Sequence, residues 1–178
     1  MIPLKEAIEA KHKLAERMPF NVRMFRGQLK KLEYGLYLQQ QLSVFEAIES
    51  IALPHPDLSR VGKVKQDMAE ISTVYNWEIL PSTLEYVEYI LSLSIEDLMP
   101  HVYLNYLAIM YGGQMMKKVV PSSGNMYEFD NMQEALLSIR SIQKDEWAVE
   151  ANKGLDYNIK VFEELELVTQ NSKEYGMA

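Results

Sequence analysis

The chain has 178 residues, 48% of them hydrophobic, and a formal net charge of −7, enough apolar material to fill one core, which predicts a single domain over residues 1–178. No run approaches the roughly 18 consecutive apolar residues of a membrane span, and the charged start MIPLKEAIEAKHK is unlike a signal peptide, so the expectation is a soluble, cytoplasmic protein with no membrane partner. The absence of cysteine excludes disulfides, thiolate nucleophiles and Cys-ligated metals, and the net acidity argues against generic nucleic-acid binding.

In chain order, Pro3 suits a first helical turn, and Leu4, Ile8, His12 and Ala15 follow at helical spacing, which predicts an amphipathic helix over 3–17 with His12 pointing inward. Residues 21–26 read as a short helix or turn ending near Gly27. Residues 29–51 read as a long helix broken by Pro54-His55-Pro56. Asp57 can cap a short helix, and another runs from about 63 to 75. Leu80-Pro81-Ser82-Thr83 opens a helix through about 93, and Ser94-Ile95-Glu96-Asp97 resembles a further start. The apolar pattern then continues from His101 to Val120, and residues 130–142 and 145–170 supply two more helices. Alternating strand patterns are absent, so the fold class is an all-α bundle of seven or eight helices.

Charge is unevenly spread. Residues 1–31 carry eight basic side chains against three acidic ones, leaving −12 on the remainder. The amino-terminal end is a basic patch suited to an anionic ligand group or an acidic partner, unless its charges simply line solvated helix faces.

Two constellations carry chemistry. A lone histidine on an apolar helix face is ordinarily a hydrogen-bonded core residue. His12, however, has Glu16 one turn on, placed to receive a ring N–H and fix the tautomer, as metal-bound histidines require. Lys5 lies two turns before it. The second constellation is His101 to Gly113, where Leu104, Ala108 and Gly112 share one face with shrinking side chains. Adjacent glycines in mid-helix cost about 1 kcal/mol each against alanine. They imply close approach to the backbone, either by a planar ligand or by another helix. Eleven methionines, Met110, Met115 and Met116 among them, read as packing rather than sulfur ligands. Glu9 and His12 have di-iron spacing, but no second Glu-x-x-His pair exists.

These residues together resemble the heme oxygenase family. Leu4-Lys5-Glu6-Ala7 through His12, with Ala15-Glu16, Phe20 and Gly27-Gln28, is similar to that family's proximal-histidine helix. His101, Tyr103, Tyr106-Leu107, Gly112-Gly113-Gln114 and Lys117-Lys118 resemble its distal helix, and Asn158-Ile159 with Phe162-Glu163-Glu164-Leu165 resembles its last helix. The resemblance implies heme as both cofactor and substrate, sandwiched between the first helix and a kinked distal helix. It implies His12 as the axial iron ligand oriented by Glu16, with Lys5 and Tyr103 at the propionate edge. It implies further basic propionate partners on the helix around 130–144, where a gap-free reading puts Ile139 and Gln143 at the family's basic positions and Arg140 and Lys144, one position away, are the candidates. Gly112 and Gly113 become the distal glycines. The products implied are biliverdin, carbon monoxide and ferrous iron, with electrons from an acidic ferredoxin or other reductase docked on the basic patch.

The distal helix departs from the family pattern. Ala108 and Ile109 stand where a glycine and an aspartate are usual, and Asn105 where an arginine is usual. The aspartate's task is to hold the water that delivers protons, and isoleucine has no polar atom with which to do it. Asn105, Tyr106 and Tyr111 are the candidates for that task. The alternatives to an enzyme are a heme carrier or sensor of the same fold, and a bundle protein that takes no heme.

Overall fold

The computed structural model describes residues 1–176 and contains α- and 3-10 helices, with no strand among them. Helix α1 (Leu4–Ala7) begins at Pro3, and its first N–H, from Leu4, donates to Asp145 Oδ1 at 2.8 Å. A helix N-terminus leaves such donors unpaired, so a distant carboxylate closes it here. Ile8 (φ −103°, ψ −4°) separates α1 from α2 (Glu9–Glu16), so the single helix expected over 3–17 is two short ones. Ile8 is buried, and its departure from helical dihedrals lets both halves lie against the core.

Helix α3 (Pro19–Phe25) starts with proline at its first turn, and α4 (Lys31–Glu49) starts where Glu33 accepts the Lys30 N–H at 3.0 Å. After α4, His55 rather than Asp57 caps the 3-10 turn Pro56–Leu58, its Nδ1 accepting the Asp57 N–H. Helices α5 (Val61–Ile71) and α6 (Pro81–Leu91) follow. Helix α5 stops at Ser72, whose hydroxyl accepts the N–H groups of Val74 and Tyr75 in a turn. This explains why the helix expected to reach residue 75 is shorter.

Helix α7 (Ile95–Val119) is the longest, capped by Ser94, whose Oγ accepts the Asp97 N–H at 3.1 Å. It runs through Pro100 and both glycines without interruption. The helix start at Ser94 and the pattern from His101 are thus one element. Helix α8 (Met132–Arg140) is followed by the 3-10 turn Asp145–Trp147, then by α9 (Ala148–Asn171) and α10 (Lys173–Gly176).

Helix α9 is the central element and packs on α2, α3, α4, α6 and α7, while α4 packs on α5 and α6. Helix α2 reaches it through Lys11 and Asp156 at 2.7 Å, and α1 through the Ala7 carbonyl, which accepts from Asn152. Helix α7 reaches it at Gly154, where an added Cβ would stand 2.7 Å from Leu104 Cδ2 and 3.0 Å from His101 Nδ1. A side chain there would have to displace Leu104 or His101. Asp156, which holds α2, and Gly154 are two positions apart, which is about 200° around a helix. Helices α2 and α7 therefore flank α9, and its Leu155, Ile159 and Phe162 face the arc between them.

A buttress supports the far half of α7. Asp67 on α5 is fully buried and accepts three hydrogen bonds, from the backbone of Asn125 and Met126 and from the Asn125 side chain. This fixes the 3-10 turn Asn125–Tyr127, and Tyr127 packs under Gly113. Arg60, also buried, donates to the carbonyls of Asp57, Leu58, Met126 and Glu128, with its guanidinium over the Phe129 ring.

Candidate functional site

Because α2 is only two turns long and meets α9 along one side, its other side is open. His12 is on that open side, its side chain 47% exposed and Nδ1 3.4 Å from Glu16 Oε1. The expectation that His12 points inward is corrected in this respect: Ala15 is the buried residue of α2, and the imidazole faces out. The Glu16 contact matches the one expected from the spacing, and it engages Nδ1, leaving Nε2 for another partner.

On α7, Ala108, Tyr111, Gly112 and Met115 fall at i, i+3, i+4 and i+7, the spacing of one helix face. Tyr111 is 64% and Met115 61% exposed, and Ala108 is exposed as well, although the residues from His101 to Leu107 are all buried. Met115 is thus not core, as the methionines were expected to be, whereas Met110 and Met116 are. The two glycines part company here. An added Cβ at Gly113 would meet Tyr127 at 3.3 Å, whereas at Gly112 the nearest atom is Met116 Cγ at 3.9 Å. Gly113 serves packing against Tyr127, and Gly112 presents bare backbone to the open strip.

The basic candidates also separate. Ile139 is fully buried, whereas Arg140 projects over Tyr103 and Tyr111, 6.0 and 5.5 Å from their ring centroids. The Arg140 guanidinium donates to the Tyr111 hydroxyl and to Gln143 Oε1. Burial raises the Tyr103 pKa, and Arg140 opposes that shift. Lys144 is instead paired with Glu96 at 3.0 Å, near the start of α7, so it does not join Arg140. Lys5 is exposed on α1, beside the turn whose Trp147 ring meets Tyr103 edge-on. A groove of about 550 Å³ lined by Leu53, Pro54, Ile95, Met99 and Ile142 includes none of these residues.

Of the polar groups expected to hold water near Gly112, two face away. Asn105 is buried, its amide donating to the Tyr86 hydroxyl at 2.9 Å and the His101 carbonyl at 2.8 Å, its Oδ1 3.4 Å from Asn158 Nδ2. Tyr106 is fully buried and its hydroxyl donates to Glu49 at 3.0 Å. Ile109 is buried among apolar neighbours. Tyr111 alone of the three candidates stands on the open face. Phe162 of α9, named above for the last-helix resemblance, stacks on Tyr37 of α4 at 6.3 Å and 9°, a pairing the sequence did not show. Nothing in the sequence marked Tyr86 and Glu150 as the partners of His101.

A family profile described as Heme oxygenase matches residues 2–164. Among curated relatives, heme oxygenase 1 of Gallus gallus is 27% identical over 98% of this chain and 72% of its own length. Heme oxygenase 2 of Macaca fascicularis is 27% identical, with 92% of this chain and 64% of that protein covered. The chain therefore spans about two thirds of these relatives. Among solved structures, heme oxygenase-1 of the cyanobacterium Synechocystis in complex with heme superposes with a TM-score of 0.79 at 23% identity, covering 92% of this chain and 90% of that one. Heme oxygenase from Leptospira interrogans gives 0.79 at 23%, covering 90% and 97%. The profile spans nearly the whole chain, and the chain belongs to the heme oxygenase family.

Proposed function

We propose that this chain is a heme oxygenase that opens heme to biliverdin, carbon monoxide and ferrous iron, using molecular oxygen and electrons from a reduced partner. The observation that carries the reading is the bare Gly112 backbone in an exposed apolar strip of α7, with His12 turned outward on α2 and α9 between the two helices. A flat apolar ligand with an acidic edge suits that arrangement. Its face has Ala108, Gly112 and Met115 to lie against, and its carboxylates have Arg140, Lys5 and the Tyr103 hydroxyl. When bound, heme supplies both the iron that activates oxygen and the macrocycle that is cut.

The remaining steps belong to the chain's own residues. Glu16 Oε1, 3.4 Å from Nδ1 of His12, would orient the ring, and Nε2 would hold the iron. Ala108 and Met115 exclude water over the ligand face. Tyr111, held at its hydroxyl by Arg140, is the group on the open strip able to donate or position a proton. An acidic ferredoxin, or another reductase, is the electron donor that the basic amino-terminal end suits.

A second reading, a heme carrier or sensor, is favoured by one specific observation. Ile109 is apolar and Asn105 is committed to Tyr86 and His101, so neither supplies the distal proton network. Hemin titration separates the cases. A Soret band is expected for the wild type and its loss or shift in His12→Ala; an unchanged band in His12→Ala removes the axial assignment. With a reductant and catalase present, growth of a long-wavelength biliverdin absorbance identifies the enzyme, and a stable reduced complex identifies the carrier.

A further inference from the structure

Between α6, α7 and α9 lies a row of buried polar side chains whose proton order follows from donor and acceptor chemistry. Asn105 Nδ2 donates to the His101 backbone carbonyl, which can only accept, and this fixes the amide orientation. The same nitrogen donates to the Tyr86 hydroxyl at 2.9 Å, so the Tyr86 oxygen is the acceptor there. The Tyr86 hydrogen then goes to His101 Nδ1, 2.7 Å away. That places the ring hydrogen of His101 on Nε2, aimed at Glu150 Oε1 at 3.3 Å. The Tyr89 hydroxyl donates to the same carboxylate oxygen. Tyr86 and His101 are fully buried, and the Glu150 side chain is 17% exposed.

Burial lowers the His101 pKa from its ordinary value, so the ring is neutral and its Nδ1 lone pair is available. Burial alone would raise the Glu150 pKa, but hydrogen bonds from Tyr89 and His101 outweigh it and keep the carboxylate ionised. The run of donors from Tyr86 through His101 thus ends at one anion, which Tyr89 also faces. The Tyr86 ring is also stacked on Tyr157 at 4.9 Å and 7°, and Tyr157 lies 5.3 Å from Tyr89. Asn105 is two turns, about 10 Å along the helix, from Gly112.

We propose that Tyr86 is a redox-active tyrosine: it gives one electron to a strong one-electron oxidant while its proton passes to His101. The Tyr86 O–H bond breaks and an Nδ1–H bond forms on His101. The Nε2 proton moves to the Glu150 carboxylate, and the products are a neutral tyrosyl radical and a neutral carboxylic acid. A phenol oxidised without a base becomes a strongly acidic cation, costly in a buried site. Here the proton has a hydrogen-bonded base, and the step removes a partly buried negative charge.

Other tyrosines lack this setting. Tyr103 and Tyr111 lie beside the Arg140 cation, which opposes a hole. Tyr106 pairs directly with Glu49, without a neutral base between them. The cellular oxidant rests on the heme reading above, as peroxide acting on bound heme; the tyrosine chemistry itself does not.

The test therefore uses heme-free protein, oxidised by photogenerated tris(bipyridine)ruthenium(III) with persulfate as the terminal acceptor, and frozen for electron paramagnetic resonance. A persistent neutral tyrosyl radical is expected, with a proton coupling that disappears in deuterated buffer. Its long-lived component is lost in Tyr86→Phe, and in Glu150→Gln it decays faster. A long-lived signal unchanged in Tyr86→Phe overturns the proposal. Should Tyr86→Phe fail to fold by circular dichroism, a ring-fluorinated tyrosine at position 86 decides: fluorine splitting of the radical supports the assignment, and its absence overturns it. Failure of the protein to bind hemin leaves this result intact.

Discussion

An added methyl at Gly113 would stand 3.3 Å from Tyr127 Cβ and Cδ1, whereas at Gly112 it would meet only Met116 Cγ at 3.9 Å. The usual helix penalty of glycine therefore buys no protein packing at Gly112. Gly112→Ala is expected to stabilise the ligand-free protein by about 1 kcal/mol, a rise in Tm of roughly 2–4 °C, while weakening hemin binding. Gly113→Ala should give no such gain. Thermal melts and hemin titrations of the two variants check this, and unchanged hemin affinity in Gly112→Ala would remove Gly112 from the binding surface. At this scale the sequence shows faces but not neighbours. His12 and Glu16 are legible because both are on α2, one turn apart. The choice between Ile139 and Arg140 needed the packing of α8, which buries one and extends the other over Tyr103. Asn105 and Tyr106 stand on the named helix but are committed to Tyr86 and Glu49, on helices far away in sequence.

Helices are the most legible objects in the chain, since α4, α6, α7 and α9 follow from apolar periodicity and from Pro81 and Ser94 at their starts. Breaks and buttresses are not. Ile8 sits on the apolar stripe and gives no sign of separating α1 from α2. Arg60, in the polar stretch Ser59-Arg60-Val61-Gly62-Lys63, reads as surface, yet it is buried because four backbone carbonyls from two loops converge on it. Arg60→Met keeps the apolar stem but leaves those carbonyls without a donor, so a loss of about 3 kcal/mol is expected. That corresponds to a fall in Tm of roughly 6–12 °C. The loop holding Tyr127 under Gly113 should loosen with it, seen as faster amide exchange over residues 122–130. A melt within 1–2 °C or so of wild type would show that the carbonyls find other donors.

Over the whole molecule, the bundle class is legible from the absence of strand patterns, and the charge asymmetry from simple counting. What counting misses is how much of the basic patch is already neutralised. Lys11 is paired with Asp156, Lys13 with Glu9, and Arg23 with Glu33 and Glu166. Arg17, Arg26 and Lys31 are exposed, and no ion pair to them occurs among the described residues. If an acidic ferredoxin docks at this end, turnover driven by it falls steeply as salt is raised. Arg17→Glu should then cost more than Lys13→Glu, because Lys13 already shares its charge with Glu9. Steady-state rates at several ionic strengths test this, and equal rates at low and high salt would exclude electrostatic docking.

The division at Ile8 also bears on how a flat ligand enters. Helix α7 is gripped along its length by α9, α8 and the Tyr127 turn. Helix α2 is a two-turn segment whose named polar tie to α9 is the Lys11–Asp156 pair at the surface, and α1 before it is anchored separately at Asp145. The two walls of the site are thus unequal in stiffness. If a flat ligand enters between them, the histidine side is expected to be the one that gives way.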